Sequence, residues 1–574
     1  VASLDLPKHV GVFGPSFEWG TATAAYQIEG AALEDGRGPS IWDTFSHTKG
    51  KTTNGDTGDV ADDFYHRFKD DVDLMSSLGL THYRMSLSWS RLLPNGTVAE
   101  QNAAGIRFYR EVFAALRDKG IEPLVTLYHW DLPQALEEKY RGWLSSESVS
   151  DFANYADFAF ATFPEVDKWI TFNEALTFIG EGYTDGIFAP GRCADRARCA
   201  EGDSTSEPFL AAHNVLLAHA AAVARFRDRF PPKDDHTTKK EIGMTNCGWM
   251  MWPLYEDDDP QPAQDLMEGM WAWFTDPIIV GDYPDSIKKR AGRNLPEFTP
   301  EESAMLAKSI DFLGVNYYSA RYVATPDASH PPAKFASGVP MIGDSFSVLT
   351  EDDRGNALGP RGGSDWLYVV PEGLRDLLVW LDRRYGGEIT MRITENGCSQ
   401  PATLDATPEL AVNDTFRIDY LKTHVAAIGE AIADHGVDVV GYYAWSFMDN
   451  YEWADGYSKR FGLVFVDFAT LERIPKQSAY WYESLVRASK SNFSDSVVSA
   501  PRMKVRHKKS RPHPLAAGVP LALASAVVFG ILMRRQRRPP HQAPPGETDT
   551  LLRRASSSSS SSSAPRGRRG EKTK

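Results

Sequence analysis

Short apolar runs alternate with amphipathic stretches along most of the 574-residue chain. Eight runs rich in β-branched and aromatic residues predict strands at residues 17–24, 81–88, 122–128, 168–172, 241–246, 311–317, 388–394 and 438–445. The stretches between them repeat apolar residues at a spacing near 3.6. This spacing predicts helices at residues 62–78, 103–119, 148–162, 207–230, 261–274, 372–385, 414–435 and 476–489.

This alternation of strand and helix favours an α/β fold. We expect a single (β/α)₈ TIM barrel with long βα loops over residues 1–490. A doubly wound open sheet is the alternative architecture, but no glycine-rich phosphate loop follows the first predicted strand. In a barrel of this type, functional groups come from the C-terminal ends of the strands.

The predicted strand ends carry many polar and aromatic residues. Residues 168–174, reading KWITFNE, end at Glu174, and residues 388–397, reading EITMRITENG, contain Glu395. Further such residues near strand ends are Gln27, His129, Trp130, Asn173, Asn316, Tyr318, Trp445, Glu452 and Trp453. Polar groups at so many strand ends predict an active site at one end of the barrel.

The residue types at these positions suit glycoside hydrolysis. One carboxyl group can protonate the departing oxygen while a second attacks or assists at the anomeric carbon. Amides, carboxylates and imidazoles bind sugar hydroxyls, and tryptophan faces pack against the sugar's C–H surface. The sequence shows no phosphate-binding loop, Ser-His-Asp order or metal-ligand motif, so we expect neither a metal nor a cofactor.

From about residue 17 to residue 489 the chain resembles glycoside hydrolase family 1, the β-glucosidase and lactase type. The motifs that carry the resemblance are FEWGTATAAYQIEG, YRMSLSWSR, TLYHWDLP, TFNE, LGVNYYS, ITENG and DNYEWADGYSKRFG. The resemblance implies a retaining, exo-acting β-glycosidase that forms a covalent glycosyl-enzyme. Its expected partner is a small-molecule β-glycoside with a terminal, non-reducing, unphosphorylated sugar.

The resemblance also implies roles for single residues. Glu174 would be the acid/base, with its pKa raised by an apolar setting and by the second carboxylate. Glu395 would be the nucleophile, supported by Arg84 and Tyr318. The implied substrate-binding residues are Gln27, His129, Asn173, Asn316, Trp366, Trp445, Glu452, Trp453 and Phe461.

Two other functions use the same fold. A sugar-binding, receptor-like pseudoenzyme is disfavoured because both glutamates are present. A transglycosidase would use the same residues and stays open. Glu452 occupies the place where phospho-sugar relatives carry a small residue, so we expect it to repel phosphorylated sugars. The glycone can be of the glucose, galactose or fucose type.

Charge divides the chain unevenly. Residues 501–574 hold 17 Lys/Arg against 3 Asp/Glu, a net charge of +14, which leaves −29 for residues 1–500 because the whole chain carries −15. A body this acidic is a poor candidate for nucleic-acid binding.

The C-terminal part changes in character. We expect residues 491–514 to form a basic stalk and residues 515–533, the uncharged stretch from Leu515 to Met533, to form a single transmembrane helix. The basic, Ser-rich residues 534–574 are predicted to be disordered.

Candidate modifications favour a secretory location. Glycosylation sequons at Asn95, Asn413 and Asn492 all precede the predicted span, so the catalytic domain should be luminal or extracellular and the tail cytoplasmic. Cys193 and Cys199 lie in a polar loop, GRCADRARC, and are predicted to form a disulfide. Cys247 and Cys398 are predicted to be buried free thiols.

Overall fold

A computed structural model describes residues 7–231, 240–255, 259–327, 330, 346–405 and 407–496. Its strands are β1 (Glu18–Ala22), β2 (His82–Ser86), β3 (Glu122–Tyr128), β4 (Lys168–Asn173), β5 (Glu241–Cys247), β6 (Met250–Pro253), β7 (Phe312–Asn316), β8 (Ala320–Ala324), β9 (Ser347–Leu349), β10 (Met391–Asn396), β11 (Val439–Trp445), β12 (Val464–Asp467) and β13 (Glu472–Pro475). Eight of them form a closed parallel barrel in the order β1-β2-β3-β4-β5-β7-β10-β11. The predicted barrel is confirmed.

The helices surround the barrel and fill its loops. They are α1 (Ala25–Ile28), α2 (Ile41–Ser46), α3 (Phe64–Ser77), α4 (Trp89–Leu92), α5 (Ala103–Asp118), α6 (Gln134–Tyr140), α7 (Glu147–Thr162), α8 (Ala175–Ile179), α9 (Glu207–Arg229), α10 (Gln261–Met267), α11 (Trp273–Val280), α12 (Asp285–Ala291), α13 (Pro300–Leu306), α14 (Pro371–Arg384), α15 (Pro408–Val412), α16 (Thr415–His435) and α17 (Gln477–Ser496). Each pair of consecutive barrel strands is connected through at least one of these helices.

Helix α5 shows how the sequence produces this layer. Its buried residues Gly105, Phe108, Tyr109, Val112, Phe113 and Leu116 recur every three or four positions, which puts them on one face toward the barrel. The Asn102 side chain caps the helix by accepting a hydrogen bond from the Ala104 N–H at 3.1 Å. Gly120, with φ at 68°, allows the chain to turn into β3.

Some predicted boundaries are wrong. Strand β10 begins at Met391 and ends at Asn396, so Glu395 lies inside the strand rather than after it. The predicted helix at residues 261–274 is instead α10, a π-helical turn at Glu268–Ala272 and α11. Such a turn inserts one residue into the helical spacing without a distinctive residue type, so periodicity alone does not reveal it. Strands β6, β8 and β9 form a small sheet that was not predicted.

Ion pairs occupy the N-terminal end of the barrel. Glu18 of β1 pairs with Arg392 at 2.8 Å and with Lys168 at 2.9 Å. Burial opposes ionisation of Glu18, but the hydrogen bond and charge of Arg392 outweigh it and lower the pKa of that carboxyl strongly. This end of the barrel is thus closed by paired charges, and the candidate site lies at the other end.

Within the described residues, α9 is long and apolar enough to cross a membrane, but most of it is buried against the rest of the fold, as expected for a core helix. The predicted stalk, transmembrane helix and tail lie outside the described residues except for residues 491–496, which continue α17.

Candidate active site

Both predicted catalytic glutamates lie at the C-terminal end of the barrel. Glu174 directly follows β4, and Glu395 is the next-to-last residue of β10. The carboxyl ends of parallel strands converge at one opening, so the two side chains reach the same cavity. Both are almost completely buried, with 5% of Glu174 and 3% of Glu395 exposed.

Each oxygen of the Glu395 carboxylate accepts one hydrogen bond. Arg84 of β2 donates from Nη1 to Oε1 at 2.5 Å, and the Tyr318 hydroxyl donates to Oε2 at 2.6 Å. Arg84 is itself fully buried. The two donors fix the plane of the carboxylate, and the guanidinium compensates its negative charge.

Glu174 has a different environment. Its Oε1 accepts a hydrogen bond from Asn316 Nδ2 at 2.5 Å. Burial and then the nearby charge of Glu395 raise the pKa of Glu174 to about 7, although the Asn316 hydrogen bond opposes this shift. The direction and both causes agree with those expected from the sequence. One glutamate is therefore paired with a cation, and the other can hold a proton near neutral pH.

Asn173 connects the groups around the two glutamates. Its Oδ1 accepts hydrogen bonds from Arg84 Nη2 at 2.6 Å and from Asn316 Nδ2 at 3.1 Å. Its Nδ2 lies 3.0 Å from His129 Nε2. Burial and the charge of Arg84 lower the pKa of His129 well below its usual value, so this imidazole is neutral and its Nε2 accepts the amide hydrogen.

The cavity that contains the two glutamates has a volume of about 410 Å³. That volume lies in the range expected of a small-molecule site. Predicted site residues in its lining are His129, Asn173, Glu174, Tyr318, Trp366, Glu395, Trp445, Glu452, Trp453 and Phe461. The structure thus brings together ten residues that are scattered over more than 330 positions of the chain.

Aromatic rings form much of the lining. The His129 ring stacks on Trp445 and on Trp453, with centroids 6.1 and 6.0 Å apart. Trp366, which is 37% exposed, lies nearly parallel to Phe461. Stacked, flat faces of this kind suit the C–H surface of a sugar and a planar leaving group.

Glu452 lies in the loop after β11 and lines the same cavity. Burial raises the pKa of Glu452 to about 8, and the charges of Asp455, Glu395 and Glu174 act in the same direction. Among the groups that shift its pKa there is no cation.

Three predicted residues lie behind the lining. Arg84 and Asn316 contact the glutamates from behind, as described above. Gln27 is buried and donates from Nε2 to Asn450 Oδ1 and to the Tyr451 carbonyl, while its Oε1 has no hydrogen-bond partner among the described residues. Gln27 thus retains an acceptor but is not part of the cavity surface.

Sequence reasoning missed several lining residues, namely Leu176, Thr177, Glu181, Ile187, Phe188, Trp249, Met270, Ala454 and Asp455. They lie in the connections that follow β4, β5 and β11, in short helices, helical turns and loops whose path over the barrel cannot be read from hydrophobic periodicity. Trp130 was noted only as a strand-end residue. Its indole donates to the Asn173 carbonyl at 2.9 Å.

The four cysteines differ in bonding state and burial. The predicted disulfide between Cys193 and Cys199 is confirmed. Cys398 is a buried free thiol, as predicted. Cys247 is free but only partly buried, because it is the last residue of β5 and lines the cavity. Its predicted burial is therefore wrong in part.

Of the sequons, Asn413 is exposed just after α15, and Asn95 lies half-buried in a turn where its Oδ1 accepts from the Thr97 N–H. The Asn492 side chain lies outside the described residues. Among described residues, no group of three or more His, Cys, Asp or Glu side chains is arranged to hold a metal ion.

Comparison with known proteins places the whole barrel in one family. Residues 9–491 match the family described as Glycosyl hydrolase family 1. β-Glucosidase 24 of Oryza sativa subsp. japonica is 44% identical over 483 residues, covering 83% of this chain and 93% of the relative. β-Glucosidase 40 of Arabidopsis thaliana is 42% identical over 484 residues, with the same coverage of 83% and 93%.

Solved structures of β-glucosidases are also similar to this chain. The crystal structure of the rice β-glucosidase Os3BGlu6 has a TM-score of 0.78 at 41% identity and covers 84% of this chain and 99% of that one. A β-glucosidase from the fungus Humicola insolens, in complex with glucose, has a TM-score of 0.79 at 42% identity, with the same coverage. With this fold, these motifs and this similarity over the barrel, the chain belongs to glycosyl hydrolase family 1.

Proposed function

We propose that this O-glycosyl hydrolase is a retaining β-glucosidase in which Glu395 is the nucleophile and Glu174 the acid/base. The observation that carries this assignment is the unequal environment of the two carboxyls in one cavity. Glu395 is held by Arg84 and Tyr318, whereas Glu174 has a pKa raised to about 7. Glu395 can therefore attack the anomeric carbon, and Glu174 can donate a proton to the leaving group.

The reaction proceeds in two displacements. Glu395 attacks the anomeric carbon while the protonated Glu174 gives its proton to the departing oxygen, which leaves a glucosyl ester on Glu395. Glu174, now ionised, takes a proton from water, and the resulting hydroxide equivalent releases glucose with its configuration retained. A related rice β-glucosidase, carrying a Glu-to-Gln mutation, has been solved in a covalent complex with glucose.

The lining supports an unphosphorylated glycone. Asn173, His129 and Glu452 can bind hydroxyls, and Trp445 and Trp453 provide flat apolar faces. Among the described residues, no cation that could attract a phosphate shifts the pKa of the Glu452 carboxyl. Glucose is the favoured glycone because the relatives and the solved structures are β-glucosidases.

A panel of 4-nitrophenyl β-glucoside, β-galactoside and β-fucoside tests this proposal. We expect hydrolysis of all or some of them, with the highest kcat/KM for the glucoside or fucoside, and a loss of at least about 10⁴-fold in Glu395→Gln. Glu388→Gln, an exposed residue just before the same strand, is the matched control and should keep full activity. Hydrolysis of none of the three by the unmodified chain would favour a sugar-binding pseudoenzyme instead.

We further propose that residues 515–533 anchor the enzyme in a membrane, with the catalytic domain luminal or extracellular, the tail cytoplasmic and the sequons available for glycosylation. The support is the uncharged 19-residue stretch and the basic RRQRR that follows it. The full chain should resist extraction at alkaline pH, whereas a chain ending at residue 500 should be released. Release of both would contradict the anchor. Removal of N-linked glycans should increase the mobility of the full chain on a denaturing gel.

A further inference from the structure

Glu181 belongs to the cavity but has no part in the proposed two-displacement chemistry. It lies seven residues after Glu174, in the π-helical turn Gly180–Thr184 that continues α8. Its side chain lines the cavity together with Ile187 and Phe188. The backbone holds it there, because its carbonyl accepts hydrogen bonds from the N–H groups of Ile187 at 2.9 Å and Phe188 at 3.2 Å.

Among the described residues, no cation is paired with the carboxyl group of Glu181. Its Oε2 is buried and has no hydrogen-bond partner among the described residues. Burial and the charge of Asp185 raise the pKa of Glu181 to about 8, and no cation is among the groups that shift it. Burial without a partner raises the free energy of the ionised form of a carboxyl group. A ligand that supplies the missing hydrogen-bond donor or positive charge stabilises that form again.

The rest of the cavity surface points to the same ligand chemistry. None of the described residues that line the cavity is Lys or Arg. Five of the lining residues are acidic, namely Glu174, Glu181, Glu395, Glu452 and Asp455. The nearby guanidinium groups lie behind the lining. Arg84 is bonded to Glu395, and Arg321 stacks on the Trp249 ring with its central carbon 4.0 Å from the centroid.

Glu181 shares the cavity with aromatic and apolar residues. Phe188, Trp249, Trp366, Ile187 and Met270 line the cavity along with it. Aromatic faces attract cations as well as planar rings, particularly where water is excluded. A carboxyl group among such faces is the usual composition of a site for an organic cation.

We propose that Glu181 selects the leaving group, favouring aromatic aglycones that carry a positively charged ammonium group over neutral or anionic ones. The inference rests on the proposed β-glucosidase function and adds the chemical class of the aglycone. Glu181 acts by binding the aglycone. It therefore raises kcat/KM for positively charged substrates and takes no part in breaking the glycosidic bond. Anionic aglycones would add a like charge to a cavity that already holds five carboxyl groups.

Two isosteric substrates isolate the charge. One is 4-(trimethylammoniomethyl)phenyl β-D-glucoside, and the other is 4-neopentylphenyl β-D-glucoside, in which carbon replaces nitrogen. The ratio of their kcat/KM values is measured for the unmodified chain and for Glu181→Gln. Any difference in intrinsic reactivity cancels when the two ratios are compared. We expect the ratio to fall about tenfold in Glu181→Gln, the loss of roughly one favourable charge interaction.

Two further variants complete the experiment. Asp365 precedes Trp366 in the chain, and its side chain is 91% exposed and paired with Arg361. The control variant Asp365→Asn removes this acidic group and should leave the ratio of kcat/KM values unchanged. Glu181→Lys should reverse the preference. An unchanged ratio in Glu181→Gln, with the neutral glucoside still hydrolysed, would overturn the role of Glu181 alone. Failure of the unmodified chain to hydrolyse the neutral glucoside would overturn the proposed function itself.

Discussion

Asn316 shows how one neutral side chain can tune the acid/base. Its amide donates to Glu174 at 2.5 Å and to Asn173 at 3.1 Å, and its Oδ1 accepts from Thr394 at 2.7 Å. The hydrogen bond to Glu174 stabilises the ionised carboxylate, against the effects of burial and of Glu395. The pKa of about 7 is thus a balance: burial and Glu395 raise it, and the hydrogen bonds of Asn316 and Thr177 and the charge of Arg84 lower it.

Asn316→Ala should therefore raise the pKa of Glu174. Because the acid must be protonated in the first step, kcat/KM falls as pH rises through this pKa, and the variant's alkaline limb should lie at higher pH than that of the unmodified chain. The measurement is the pH profile of kcat/KM with an aryl β-glucoside. Asn356→Ala, in an exposed loop, should leave the limb in place. A shift to lower pH would contradict the assigned balance.

Glu174→Ala should separate the two steps of the reaction. Substrates with poor leaving groups need the proton and should lose about 10² to 10⁴-fold in activity, whereas a 2,4-dinitrophenyl glucoside should lose far less in its first step. Added azide, which needs no base to attack the glucosyl ester, should restore turnover and yield β-glucosyl azide. Equal losses for both leaving groups without azide rescue would remove Glu174 from the acid/base role.

At the scale of single elements, the loop after α8 contributes Glu181, Ile187 and Phe188 to the lining of the cavity. The Cys193–Cys199 disulfide lies in this loop, and a Cβ on Gly186 would clash with the Cys199 sulfur. Arg192 also stabilises this loop. Its backbone N–H donates to the Gly182 carbonyl at 2.8 Å, and its guanidinium pairs with Glu207 at 2.7 Å. These contacts hold Glu181, Ile187 and Phe188 in place.

Replacement of both cysteines, in Cys193→Ala/Cys199→Ala, should loosen this loop. A ring this small contributes about 2 kcal/mol of loop-closure entropy. We expect faster amide exchange over residues 185–201 and a several-fold higher KM for aryl glucosides. The barrel strands should keep their protection. Unchanged exchange in the loop would show that the ion pair and backbone hydrogen bonds suffice.

The elements also show how far a sequence can be interpreted. The barrel strands and the outer helices follow from their apolar spacing, and the two glutamates from the strand ends at which they lie. Glu181 and Trp249 could not be predicted in the same way, because loop conformation decides whether they face the cavity. Trp130, Glu174 and Trp453 adopt positive φ values of 75°, 50° and 49°. Such backbone conformations are rare for residues other than glycine, so residue type gives no signal for them.

At the scale of the whole molecule, several buried carboxyl groups titrate near neutral pH. Burial raises the pKa of Asp131 to about 8, and Glu452 and Glu181 have values of about 8 as well. In the unfolded chain these groups would titrate near pH 4. For these groups the folded state binds more protons than the unfolded state between these values, which lowers the free energy of unfolding as pH rises. The buried His129, His219 and His424 have lowered pKa values and act in the opposite direction, but only below about pH 7, where histidines of the unfolded chain become protonated.

The thermal midpoint should therefore fall between about pH 7 and pH 8, where the histidines are neutral in both states. A combined Asp131→Asn/Glu452→Gln variant should show a flatter dependence, because two of the groups no longer titrate. Scanning calorimetry or fluorescence across this range measures the effect. A midpoint that rises with pH would mean that these carboxyls find partners in the folded protein.

The central claim is that Glu395 forms a covalent bond with the sugar. Incubation with 2,4-dinitrophenyl 2-deoxy-2-fluoro-β-D-glucoside, whose glycosyl-enzyme hydrolyses slowly, followed by peptide mass spectrometry, tests it directly. We predict one fluoroglucosyl group per chain, located on Glu395, with loss of activity in proportion to labelling. A label on another residue, or steady hydrolysis of normal substrates with no label and an inverted product, would contradict it.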